Sequence, residues 1–173
     1  MHQQLINRLQ ACPTGAGQAA NDYEDIVADI FYFLFHPEHL DEPRVQTITY
    51  NPDRRRDIIL PISCKEGLFY LFALHFKNDT LLVECKNYQD EVTHKEIFQI
   101  CDYLDRPSLA KIAFLVTRKG MTQNASDTIK EKYLIHGKLI LCLTDQDLID
   151  LLNDKNNAVS ILRKKYHDQK LKY

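Results

Sequence analysis

The run Leu81-Leu82-Val83-Glu84-Cys85-Lys86-Asn87-Tyr88 constrains this chain more than any other stretch. Its apolar start reads as a buried strand, yet it ends with an acid and a lysine two residues apart. Side chains at i and i+2 of a strand share one face, so Glu84 and Lys86 point the same way. Two charges beside a core are costly unless they serve each other, a metal or a substrate. Chemistry at the end of a buried strand is the first thing such a run suggests.

The chain has 173 residues, 45% of them hydrophobic, enough for one globular domain with a proper core. Its sequence shows no apolar run of the ~20 residues needed to span a membrane. Met1 to Leu5 lacks the basic start and apolar stretch of a signal peptide. The cysteines at 12, 64, 85, 101 and 142 are scattered, with no C-x-x-C pair. They read as reduced thiols rather than a zinc or disulfide framework, and the expected location is cytoplasmic. The net charge of −2 argues against a broadly basic nucleic-acid coat protein. It leaves room for a nuclease, whose site must itself be acidic to hold cations. Basic residues cluster locally at Arg54-Arg55-Arg56, at Arg118-Lys119 and near the end at Arg163-Lys164-Lys165. The last run reads as a solvated face.

Periodicity and punctuation predict the order of elements. A short helix over 1–10 precedes a flexible joint at Pro13 to Gly17, and residues 1–20 read as an N-terminal arm to a domain over 21–173. Asn21 or Asp22 caps a helix with Ile26, Val27, Ile30, Phe31, Leu34 and Phe35 on its apolar side, ended by His36-Pro37. Strands are expected over 45–50 and 56–62, with a turn at Asn51-Pro52-Asp53 between them. The apolar stretch Leu68 to Leu74 suits a buried helix, started by the capping-box spacing Ser63 to Glu66 and stopped near Asn78. The strand over 80–86 follows, then a helix marked by Ile97, Ile100, Cys101 and Leu104 and closed by Pro107. A strand over 111–117, a helix over 125–135 and a strand over 138–143 come next. Thr144 to Asp147 resembles a capping box opening a helix through Leu152, and a last helix runs from Asn157 towards Lys165. The pattern is that of an α/β domain with a mixed sheet.

Three acids and a lysine fall at element ends. Glu24 lies in the first turn of the early helix, Asp57 opens a strand, and Glu84 and Lys86 close another. Converging carboxylates make a hard-oxygen site suited to Mg²⁺. Such an ion polarises a phosphoryl oxygen and lowers the pKa of a water, while a nearby lysine orients or deprotonates that water. Singly, each has an ordinary explanation: an ion pair for Glu84 and Lys86, another for Arg56 and Asp57, a helix-dipole partner in Glu24. Gln99 and Tyr103 lie four apart on the helix after Lys86, away from Ile97 and Ile100. His36-Pro37-Glu38-His39 reads as a turn, not a metal site. No Walker A sequence, dinucleotide fingerprint or serine nucleophile elbow is present, so no organic cofactor is expected.

Asp57, Glu84-x-Lys86 and Gln99-x-x-x-Tyr103 together resemble the PD-(D/E)xK nuclease superfamily. The fuller pattern is similar to its Mrr-type restriction endonuclease branch. It comprises Tyr23-Glu24 on a helix, Arg56-Asp57 on a strand, Val83 to Tyr88 at a strand end, Val116-Thr117-Arg118, and Asp147-Leu148-Ile149. The similarity runs from about Tyr23 to Leu152, and Glu84 to Tyr88 is its most specific part. It implies a restriction-endonuclease-like three-layer α/β/α core around the mixed sheet. It further implies that Asp57, Glu84, the Cys85 carbonyl and Glu24 hold or flank Mg²⁺, with Mn²⁺ able to substitute. Lys86 then positions or activates water, with Gln99 against the same site. Arg54, Arg55, Arg56, Asn87, Tyr88, Tyr103, Arg118 and Lys119 would meet the nucleic acid.

The chain departs from that pattern at Arg54-Arg55-Arg56, where glycine-rich entries are common, and in the helix-sized insertion over 63–78. The expected activity is Mg²⁺-dependent endonucleolytic hydrolysis of DNA, in defence against foreign DNA or in DNA processing, with a homodimer if both strands are cut. The alternatives are a catalytically idle module of the same fold that binds nucleic acid or a partner, a junction resolvase or repair nuclease, and an effector switched on by a ligand-binding partner.

Overall fold

The computed structural model describes residues 1–47, 56–105 and 111–172, with only the backbone described at 45–47 and 56–57. Elements follow in the order α1 (His2–Ala11), α2 (Gln18–Phe35), β1 (Arg44–Thr47), β2 (Arg56–Pro61), α3 (Gly67–Phe76), β3 (Thr80–Lys86), α4 (His94–Leu104), β4 (Ile112–Thr117), α5 (Gln123–His136), β5 (Leu139–Thr144), α6 (Asp145–Asn153) and α7 (Ala158–Lys170). A 3₁₀ turn, Lys155–Asn157, joins the last two helices. No described helix is long and apolar enough to cross a membrane.

Among the described residues the sheet runs β1-β2-β3-β4-β5. The first two pairings are antiparallel and the last two parallel. The parallel strands are apolar at almost every position because helices cover both faces. Alternation divides their side chains into two cores. Leu81, Val83, Phe114, Val116, Leu141 and Leu143 pack under α1, α2, α3, α6 and α7. Leu82, Leu115, Ile140 and Cys142 pack under α4 and α5. The result is the expected three-layer α/β/α arrangement around a mixed sheet.

The 63–78 insertion is partly core. From α3, Phe69 enters an aromatic cluster with Phe35 (5.1 Å between centroids), Phe72 and Phe114, and Phe31 stacks at a tilt on Phe114 at 5.8 Å. Its capping differs from expectation: α3 begins at Gly67 after Glu66, without a side-chain cap, so Ser63 does not open it. Similarly, α2 begins at Gln18 after Gly17, whose positive φ of 67° turns the chain into the helix. Asn21 and Asp22 therefore sit inside the helix, and Glu24 lies in its second turn rather than its first. At the C-terminus α7 extends to Lys170, beyond the expected Lys165. The expected turn at 51–53, the end of the strand over 45–50 and Pro107 lie outside the described residues.

The cap expected at Thr144 is present. The backbone N–H of Thr144 donates to Asp147 Oδ2 (2.7 Å) and that of Asp147 to Thr144 Oγ1 (3.2 Å), while Lys165 Nζ reaches Asp147 Oδ1 at 2.6 Å. Burial pulls the Asp147 carboxyl upward, but the Lys165 and Thr144 bonds together outweigh it and hold it low. A carboxyl depressed in the folded state stabilises above its unfolded pKa, and that contribution is lost as pH falls through the folded value. Asp147→Asn should therefore cost about 1 kcal/mol near neutrality. Its gap from wild type should close in denaturant titrations run stepwise below pH ~4.

Candidate active site at the end of the third strand

β3 delivers Glu84 and Lys86 to the α4 side of the sheet, two residues apart and on the face that carries Leu82. Lys86 Nζ lies 2.6 Å from Glu84 Oε1, and the side chains are only 1% and 3% exposed. From α4, Gln99 Oε1 accepts from Lys86 Nζ at 3.5 Å. Gln99 itself is exposed on α4, whereas Lys86 is buried. A buried pair of this kind gains from mutual attraction but loses two hydration shells, which makes it a poor device for stability alone.

One acid of this neighbourhood escapes the motif reading. Glu96, in the first turn of α4, accepts from the backbone N–H of Thr93 and from its hydroxyl, both at 2.8 Å. Burial raises its carboxyl, yet the Thr93 bonds hold it below the usual range, and the Lys86 charge adds in the same direction. The signal was the capping-box spacing of Thr93 and Glu96.

Glu24 is buried in α2, which packs across β2 and β3 from the other face. The start of α2 stands at the same end of the sheet as Lys86, because Asn87 Nδ2 donates to Ala19 O (2.9 Å) and the Tyr23 hydroxyl donates to Asp145 Oδ1 (2.7 Å) just beyond β5. Asp57 belongs to β2, its backbone paired with Gln46, and its side chain is outside the described residues. Arg56 is likewise described only as backbone, paired with Thr47, and Arg54 and Arg55 lie outside the described residues. Among the described residues no three His, Cys, Asp or Glu side chains group so as to hold a metal. The donors that are described suit a hard cation: a buried carboxylate at a strand end, with the Cys85 carbonyl next to it in sequence.

Two residues expected to meet nucleic acid turn inward. Asn87 is 3% exposed, and its amide donates to the carbonyls of Pro13 (2.9 Å), Gly15 (3.3 Å) and Ala19. Arg118 donates to Leu9 O (3.3 Å) and Cys12 O (2.7 Å), pairs with Asp145 at 3.2 Å and lies 4.9 Å over the Tyr23 ring. Burial, then the negative Asp145, pushes the Tyr23 phenol far above its ordinary value. The Asp145 carboxyl is raised chiefly by burial, against the pull of Tyr23 and Arg118. Tyr23 and Asp145 are 122 positions apart, so no local pattern could have joined them. Tyr88 and Tyr103 are half-buried against the α4–α5 core, and Lys119 is exposed.

Comparison with known proteins bears on the fold and the family. No curated protein matches the chain in sequence. The solved structure of the restriction endonuclease FokI is similar in fold, with a TM-score of 0.51 at 11% identity. The match covers 94% of this chain but 29% of that one, so this chain spans less than a third of FokI. A restriction endonuclease family model, that of the Mrr catalytic domain, matches residues 19–152, which include the strand and helix that bring Glu84, Lys86 and Gln99 together. By that match the chain belongs to the Mrr-type restriction endonuclease catalytic family.

Proposed function

We propose that the chain is a Mg²⁺-dependent endonuclease that hydrolyses DNA phosphodiester bonds, in defence against foreign DNA or in DNA processing. The observation that carries this reading is the buried Glu84–Lys86 pair at the end of a central strand in a restriction endonuclease catalytic domain. The strand register supports it. Ile59 pairs with Leu82 and Ile58 with Val83, and these last paired residues adjoin Asp57 on β2 and Glu84 on β3. Asp57 and Glu84, with the Cys85 carbonyl and with Glu24 as an additional acid, are the residues that would hold the metal. When bound, Mg²⁺ would polarise a phosphoryl oxygen and lower the pKa of a water. Lys86 orients or deprotonates the attacking water and offsets charge developing on phosphorus. Gln99 holds the Lys86 ammonium from the α4 side.

The exposed Lys119, with Tyr88, Tyr103 and the arginines at 54–56, supplies contacts to the phosphate backbone. A homodimer places the two sites that duplex cutting needs, and the expected compartment is the cytoplasm. One observation favours the idle alternative: the lysine and the acid already neutralise each other at 2.6 Å. Supercoiled plasmid incubated with Mg²⁺ or Mn²⁺ separates the two readings. The wild-type protein should nick or linearise it, and Asp57→Ala should lower the rate by about 10³-fold. A wild-type protein that never cuts, across metals and salts, would sink the enzyme reading. Binding whose salt slope is the same with and without Asp57 would then support the idle module.

A further inference from the structure

The residues immediately after the two central strands share one job. Asn87 follows Lys86 at the end of β3, and Arg118 follows Thr117 at the end of β4. Both spend their side-chain donors on backbone carbonyls of the N-terminal segment. The Asn87 amide is shared among the carbonyls of Pro13, Gly15 and Ala19, and the Gly15 N–H returns a bond of 2.9 Å to the Asn87 carbonyl. Arg118 holds the carbonyls at the end of α1, Leu9 and Cys12. These bonds are buried or half-buried, and the apolar side of α1 joins the main core through Leu5, Ile6 and Leu9. A surface arm needs no such attachment. A strand whose last residues carry a reacting group does, because strand ends fray when no neighbour fixes them.

We infer that Asn87 is a positioning residue: by tying residues 13–19 to the end of β3, it fixes where the Lys86 ammonium stands. The N-terminal segment is then a built-in brace of the catalytic strand. Asn87 touches no substrate in this scheme, and its effect passes through Lys86. The inference rests on the nuclease reading only in giving Lys86 its task, and the brace can be tested apart from it.

Asn87→Asp is nearly isosteric but turns the donors into acceptors facing three carbonyls, and Asn87→Ala leaves those carbonyls to water. Acetylation of the intact proteins with an amine-reactive ester, read by peptide mass spectrometry, reports access to each lysine. Lys86, 1% exposed, should react at least about ten-fold faster in both variants. Lys138, buried at the start of β5, should keep its wild-type rate, which separates local release from general unfolding. On plasmid with Mg²⁺, kcat should fall by about 100-fold with KM for DNA little changed. Lys86 reacting at the wild-type rate in either folded variant overturns the inference. So does faster labelling of Lys86 with kcat unchanged in a protein that cuts. If the wild-type protein does not cut at all, only the nuclease reading falls, and the labelling still decides the brace.

Discussion

Lys86→Ala is expected to abolish measurable cleavage, lowering the rate by about 10³-fold, while also making the protein less stable. The two effects share an origin. The lysine is 1% exposed and sits 2.6 Å from a carboxylate that is itself 3% exposed. Removing it leaves Glu84 buried with its main counter-charge gone, which costs about 3–5 kcal/mol. Urea titrations should therefore show an earlier midpoint at unchanged slope. The paired replacement Glu84→Leu/Lys86→Met removes both charges and keeps the volume. It should recover most of that stability, because exchanging a buried ion pair for apolar groups is often neutral or better. It should not recover any cleavage. If the double variant is as unstable as the single one, the pair contributes by packing and the electrostatic account fails. If Lys86→Ala cuts like wild type, Lys86 has no part in the reaction.

Arg118 and Lys119 are neighbours in sequence and should behave as opposites. Arg118→Ala removes an ion pair with the half-buried Asp145, two hydrogen bonds to carbonyls of the N-terminal segment and the cation–π stacking over Tyr23. A destabilisation of about 3–5 kcal/mol is expected, since Asp145 stays behind without its cation. Denaturant midpoints measure it, and limited proteolysis near residues 12–17 should report the loosened segment. Lys119→Ala touches an exposed side chain and should move stability by less than about 0.5 kcal/mol. Its effect belongs to DNA binding: with one fewer cation on the phosphates, the salt slope of log K should fall by about one. An Arg118→Ala protein of wild-type stability would show that the clustered bonds around Asp145 contribute little. A Lys119→Ala protein with an unchanged salt slope would remove that residue from the DNA surface.

Much of the site was legible in local sequence because its parts are local. Glu84 and Lys86 share a face through the two-residue period of a strand, and the Thr144–Asp147 cap follows from a three-residue spacing. Gln99 was recognisable by its four-residue spacing from Tyr103 on the next helix. Helix boundaries were harder. α2 begins at Gln18 because Gly17 supplies the turn, although Asn21 and Asp22 are better capping residues by type. Asn87 and Arg118 look from sequence like polar residues at strand ends, where nucleic acid would be met. Their donors instead go to half-buried carbonyls of residues 9–19.

By itself the sequence determined the order of helices and strands, the apolar character of the central strands and the acid–lysine pair at the end of one of them. Hydrophobic period and strand alternation are properties of neighbours along the chain, and they survive without knowledge of the fold. Only the tertiary structure decided that Asn87 and Arg118 hold carbonyls of the N-terminal segment, and that Tyr23, Arg118 and Asp145 form one cluster. Asn87 and Arg118 reach residues 68 to 109 positions away, and Tyr23 meets Asp145 across 122. Which distant donor meets which buried carbonyl is fixed by how the layers stack, and no short-range pattern encodes it.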